Sequence, residues 1–200
     1  MIERLSPEEF LSRLMARTYG DVFFVFEREE LCYFPENNDF SMSIGLELAT
    51  KTPLEVEVGE VIVAPTGVKW GANPELGLYL SVLPRSGLSR KTPLRIPNAP
   101  GTIEPTYRND VGVLLECVPF KKEEGEFKGK IRWRDGKVFI EENTRVAQAV
   151  IQINFMVQMR EESPVFPKNL FYTVSKDIYD EWHKIYPTKR GINGYGSTGV

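Results

Sequence analysis

Between residue 21 and about residue 155 the apolar residues arrive in short runs: VFFVF, LEVEVGEVIVAP, LGLYLSVLP, VGVLLECV and VAQAVIQINF, each soon broken by Gly, Pro or Asn. Runs this short and this rich in Val, Ile, Phe and Tyr suit half-buried strands, whose branched and aromatic side chains pack well on a pleated surface. Many such strands at close spacing suggest an all-β sandwich, jelly roll or barrel rather than a parallel sheet with crossover helices. The chain has 200 residues, 42% of them hydrophobic, which is enough for one sizeable core and too little for two comfortable ones.

Departures from the strand pattern mark the elaborations. SPEEFLSRLMARTY reads as a short N-terminal helix: Ser6 caps it, Pro7 takes its first position, Glu9 closes a capping box, and Phe10, Leu11, Leu14 and Met15 share a face. A second helix is expected over about residues 176 to 185, behind Ser175, with Ile178, Trp182 and Ile185 on one side. In FKGKIRWRDGKVFIEE, Asp135-Gly136 separates two alternating runs, the strongest short-range signal for a two-residue hairpin. The hairpin reads as an insertion arm, and KKEEGEF before it as a solvated loop. The tail RGINGYGSTGV, residues 190 to 200, is too rich in glycine for a helix or a core and reads as a flexible C-terminal arm.

Charge and rare residues exclude several functions. A formal charge of −3 and a pI near 5.4 argue against a general nucleic-acid binder, while leaving room for a local basic pocket that takes a small anion. Cys32 and Cys117 have no CxxC spacing and the start MIERLSPEEF has no apolar signal core, so a cytoplasmic protein with reduced, structural thiols is expected. The most apolar stretch, VAQAVIQINFMV, carries Gln148, Gln152 and Asn154 and does not suit a membrane span. His183 is the lone histidine, so no zinc site is proposed, and any metal would be held by oxygens.

Four polar constellations stand on this scaffold. PRSGLSRK places Arg85 and Ser86 at a strand-to-turn junction, where a guanidinium, a hydroxyl and exposed amides together suit a phosphate. IPNAPGTIEPTY carries Glu104, a carboxylate able to activate water, three residues before the ring of Tyr107. TRVAQAV puts Arg145 and Gln148 at the start of an apolar strand. In the tail, Arg190, Ser197 and Thr198 are set among glycines that allow close backbone approach, with Tyr195 as a stacking lid.

SIGLELAT (43 to 50), PRSGL (84 to 88), NAPGTIEPTYRNDVGV (98 to 113), RVAQAV (145 to 150) and RGINGYGSTG (190 to 199) resemble, in order, the five motifs of the trimeric dUTPase family. The resemblance implies one all-β domain over 1-189, a jelly-roll-like distorted barrel, with an N-terminal extension (1-40), insertions at about 118-144 and 155-188, and the arm 190-200. It implies a homotrimer with active sites shared between subunits, closed by the arm. Glu47, Arg85, Ser86, Gln148 and Glu104 would form the catalytic set, with Arg85, Ser86 and Gln148 on the phosphates. The hairpin of Asn98, Gly101 and Ile103 would read uracil through backbone groups and a bound water, and Tyr107 would lie against the deoxyribose. Arg190, Ser197 and Thr198 would bind the γ-phosphate end, while Tyr195 and Gly196 would form the lid, with Tyr in place of the family's usual Phe. Mg²⁺ would be chelated mainly by the three phosphates, with no direct protein ligand.

The implied reaction is water attack on the α-phosphorus of dUTP, giving dUMP and pyrophosphate. Glu104 and Glu47 stand where the family usually has Asp, and each extra methylene shifts an oxygen by more than an ångström unless the loop adjusts. A misplacement of that size can cost roughly 10²-fold in rate. Two other readings follow from the same residues. The sister dCTP deaminases, or a bifunctional enzyme, share the RS turn and the hairpin, but their glutamate position falls on Leu114, with Glu116 two places away. A catalytically weak nucleotide-binding regulatory protein would keep the pocket and use the hairpin at 127 to 139 for a partner.

Overall fold

The computed structural model describes residues 2–4, 22–26, 31–33, 45–72, 77–122, 124–154, 171–173, 176, 177, 180 and 184. In chain order the elements are β1 (Ile2–Arg4), β2 (Val22–Phe26), β3 (Cys32–Tyr33), β4 (Leu46–Ala49), β5 (Leu54–Glu57), β6 (Val61–Pro65), β7 (Val68–Ala72), β8 (Leu78–Pro84), α1 (Ser86–Lys91), β9 (Leu94–Arg95), β10 (Gly101–Ile103), β11 (Gly112–Cys117), β12 (Gly125–Phe127), β13 (Ile131–Arg134), β14 (Lys137–Ile140), β15 (Arg145–Ile153) and β16 (Phe171–Thr173). The expected all-β, jelly-roll-like class is what the chain adopts. The helix expected from Ser6 and the arm at 190 to 200 lie outside the described residues. Lys176, Asp177, Asp180 and Lys184 are helical, as the expectation for 176 to 185 requires, and Lys176 Nζ pairs with Asp180 Oδ2 at 2.6 Å across one turn.

The strands form four sheets, ordered β1-β16-β2-β7, β10-β8-β15-β4-β3, β6-β11-β9 and β12-β13-β14-β5. β8 and β15 run antiparallel in unbroken register from Pro84↔Ala147 to Leu78↔Ile153, making the axis on which the functional residues are hung. Their inward residues Leu80, Val82, Val146, Ala147 and Ala149 join Leu46, Leu48, Trp70 and Leu115 in one buried core. Removing such apolar area from water is the main favourable term in folding, about 25 cal/mol per Å².

The β13–β14 hairpin does not stand out as an arm. β14 pairs along its whole length with β5, from Lys137↔Glu57 to Ile140↔Leu54. Ile131, Trp133, Val138 and Ile140 are buried in the common core while Arg132 and Arg134 face outward. The cause is the period-two alternation of IRWR and KVFI, which gives each strand one apolar face that must be covered. The turn is the one expected: Asp135 and Gly136 both have positive φ, 51° and 75°, as a type I′ hairpin demands. Thr50 locks this sheet to the start of β15, since its hydroxyl donates to Glu141 O at 2.9 Å and accepts from Thr144 N at 3.1 Å.

Candidate functional site

β4, β15 and β8 lie side by side, so Gln148 is the direct cross-strand partner of Glu47 on one side and Leu83 on the other. β8 ends at Pro84, and Arg85 stays extended (φ −87°, ψ 122°) before the chain winds into α1. α1 is short because Leu88 is its buried anchor and Thr92 closes it, giving both its amide (3.0 Å) and its hydroxyl (2.8 Å) to Leu88 O. PRSGLSRK is therefore a strand-to-helix junction rather than a simple turn. The opening amides of a helix have no acceptor within it, so donors are concentrated at Ser86 and Gly87.

Three charged side chains converge there. Glu47 Oε1 accepts from Arg85 Nε at 2.8 Å and lies 2.6 Å from its second terminal nitrogen. Glu47 Oε2 meets an Arg145 terminal nitrogen at 2.5 Å. The remaining Arg85 terminal nitrogen donates to Arg145 O at 2.8 Å. Among the described residues, these bonds use three of the five N–H donors of the Arg85 guanidinium and leave two for a ligand. Among the described residues, two guanidiniums face one carboxylate in this cluster, an excess of positive charge. Side-chain exposures of 21%, 27% and 43% for Arg85, Glu47 and Arg145 put it at the surface, where an anion can reach it. Ser86 and Gly87 are exposed, and nothing lies within 4 Å of where a Gly87 Cβ would be.

Gln148 points its amide at the same junction, donating from Nε2 to Pro84 O at 2.9 Å. Its observed contact is thus with the backbone that presents Arg85. Arg145 is the residue whose place the sequence left open: a strand of strict period two sends positions 145 and 148 to opposite faces. A β-bulge between Arg145 and Ala147 breaks that parity and brings both to the Glu47 side.

The second group of site residues lies on the hairpin before β11. β10 pairs with β8 from Gly101↔Val82 to Ile103↔Leu80, which puts the exposed turn of Asn98 beside the Arg85 end of β8. A Cβ on Gly101 would come within 3.3 Å of Asn98 Nδ2, so the glycine lets that side chain fold over the strand. The half-buried Glu104 follows Ile103 and accepts the Tyr107 amide on its own carbonyl at 3.1 Å. Tyr107 is only 6% exposed, and its hydroxyl donates to Asp110 O at 3.1 Å. Arg108, 1% exposed, closes the loop with hydrogen bonds to Pro105 O and Tyr107 O.

Glu104 and Arg85 are not brought together within one chain. Glu104 lies one residue past the Leu80 end of the β10–β8 pairing and Arg85 just past Pro84, so they are separated along β8 by about 20 Å at ~3.3 Å per residue. Arg190, Tyr195, Gly196, Ser197 and Thr198 lie outside the described residues. Among the described residues no group of three or more His, Cys, Asp or Glu side chains is placed to hold a metal ion, and both Glu47 oxygens face guanidiniums. This donor set fits a divalent cation carried in on phosphates rather than one held by side chains.

Comparisons with known proteins agree with the architecture. The dUTPase family model matches residues 37–121. A deoxyuridine 5′-triphosphate nucleotidohydrolase from Beijerinckia indica is 33% identical over 159 residues, 78% of this chain and 76% of that protein. In fold, the chain is similar to a variant dUTPase of Staphylococcus bacteriophage 80alpha solved with dUpNHpp (TM-score 0.53, 21% identity, 90% of this chain and 98% of that one). It is also similar to a variant dUTPase of phage phi11 of S. aureus, described with a structural Mg(II) ion (TM-score 0.53, 22% identity, 66% and 90% covered).

Proposed function

Because the chain belongs to the dUTPase family, we propose that it hydrolyses dUTP to dUMP and pyrophosphate, holding the triphosphate at the Arg85–Glu47–Arg145 cluster. That cluster is the observation that carries the reading: a surface-facing, net positive pair of arginines pinned beside exposed amides and the Ser86 hydroxyl suits an anion and little else. Glu47 fixes the rotamer of Arg85, and Gln148 fixes the backbone from which Arg85 springs. The donors are therefore ordered before the substrate arrives, and no reorganisation is needed as charge develops.

In the reaction, a water oxygen bonds to the α-phosphorus, the bond from that phosphorus to the bridging oxygen breaks, and pyrophosphate leaves with the electron pair. Glu104 takes the proton from the water. Arg85, the Ser86 hydroxyl and the first amides of α1 stabilise charge moving onto the leaving group. Mg²⁺, held by the phosphates and water when bound, neutralises charge and aligns the phosphates. The hairpin from Asn98 through Gly101 and Ile103 reads uracil by its backbone, Tyr107 supports the deoxyribose, and the arm with Arg190, Tyr195, Gly196, Ser197 and Thr198 closes over the nucleotide.

The separation of Glu104 from Arg85 within one chain supports sites shared between copies of a homotrimer. An exposed apolar strip supports the same assembly: Val61 and Val63, 50% and 46% exposed, stand opposite Glu116 and Leu114 on the outer face of the β6–β11 pair. The test is incubation with Mg²⁺ and, separately, dUTP, dCTP, dTTP and UTP, with products resolved by ion-exchange chromatography. dUMP from dUTP alone is expected. A uracil nucleotide from dCTP would move the protein to the deaminase branch, and dUTP binding without turnover would favour the regulatory reading.

A further inference from the structure

A second cleft, of about 450 Å³, opens between the β13–β14 turn and the irregular segment that follows β11. Small-molecule sites generally occupy roughly 300–1,000 Å³. Most of its lining comes from residues outside the five motifs, and it includes none of Glu47, Arg85, Glu104 or Gln148. Pro93, Val118, Phe120 and Trp133 give it apolar walls. Phe120 and Trp133 meet edge to face with ring centroids 5.5 Å apart, forming a rigid aromatic corner.

Two features there call for a hydrogen-bond acceptor. Trp133 is 6% exposed, and its Nε1–H is buried with no acceptor among the described residues. An indole N–H can only donate, so the group has given up its water with nothing in return. On the rim, Lys137 is already held by Glu55 at 2.6 Å and Glu57 at 2.8 Å, and the Arg134 guanidinium lies 5.5 Å from the centre of the Phe139 ring. Lys122 is exposed and makes no ion pair with a described residue. Glu124 and Asp135 stand on the same rim, and their charge opposes a ligand carrying several negative charges.

We propose that this cleft binds a small monoanion with an apolar body, an aliphatic or aromatic carboxylate or sulfonate. The body lies against the Phe120–Trp133 corner, and the head takes the Trp133 N–H and the Lys122 ammonium. Entry of the head to the buried N–H requires the segment over 119 to 122, which lies beyond the Val118 N to Pro93 O hydrogen bond and has no strand pairing, to give way slightly. The site is independent of dUTP hydrolysis, because no residue placed in that reaction lines it.

The experiment titrates the full-length protein with anilinonaphthalenesulfonate, following its fluorescence and, in an isotope-labelled sample, the indole N–H resonances of Trp70, Trp133 and Trp182. Hexanoate is then added as a competitor. Saturable one-site binding is expected, displaced by hexanoate, with the Trp133 resonance (identified by its loss in Trp133→Phe) shifting downfield. Lys122→Glu, a surface change that leaves the core intact, is expected to weaken binding by about tenfold or more. Trp133→Phe should weaken it as well. Non-saturable binding, an unmoved Trp133 resonance, or equal affinity in both variants would overturn the proposal. Displacement of the probe by dUTP would overturn the restriction to monoanions.

Discussion

Glu47 binds two cations with one carboxylate, one oxygen to each guanidinium, and that division of labour places Arg85. Replacing Arg85 with Ala removes the proposed phosphate donor without touching the core, so kcat/KM for dUTP should fall by about 10²–10³ while circular dichroism stays unchanged. Glu104→Gln keeps the shape and removes the proposed base. Its kcat should fall by about 10²–10⁴ with dUTP binding retained, as calorimetry would show. Cys32 provides a check on the fold. Burial pushes its thiol up from 9.0 to about 12, so the folded state favours the protonated form. That stabilisation is complete below about pH 9 and is lost as pH rises toward about 12, so the urea midpoint should fall across this window, and less steeply in Cys32→Ala. At this scale the sequence was partly legible. Arg85, Ser86 and Glu104 sit in short motifs whose chemistry is local. The place of Arg145 depends on a bulge, which residue type does not announce, and the bond from Gln148 to Pro84 O depends on which strands are neighbours.

The strands were readable as elements because their alternation and their Gly and Pro breaks are local facts. α1 was not, since PRSGLSRK has one buried apolar residue, Leu88, and six helical positions are too few to display a period. The hairpin turn was readable from Asp135-Gly136, but the partner of β14 was not: β5 lies some eighty residues earlier, and pairing at that distance leaves no local mark. The inward face of this hairpin was nevertheless written in the sequence. Gly125 on β12 tests how tightly that face is packed, because a Cβ there would lie 2.3 Å from Trp133 Cζ2. Gly125→Ala should destabilise the protein by about 1–3 kcal/mol through overpacking, measurable as a lower denaturation midpoint at unchanged slope.

For the whole molecule, the position of Glu104 and Arg85 at opposite ends of the β10–β8 pairing matters most. A single chain holds the Glu104 carboxylate too far from the Arg85 cluster for both to act on one α-phosphate, so activity is expected to require association, with Val61 and Val63 on the face that associates. Deleting residues 190 to 200 removes a glycine-rich segment whose composition is expected to add little core. It should leave the assembly intact in light scattering while removing most turnover, whereas full turnover in the truncated protein would end the assignment of that arm as a lid. The measurement that bears most directly on the function is hydrolysis of dUTP in isotope-labelled water, with dUMP and pyrophosphate separated and weighed by mass spectrometry. Label in dUMP alone is expected, since attack falls on the α-phosphorus. Label in pyrophosphate, or no hydrolysis at all, would contradict it.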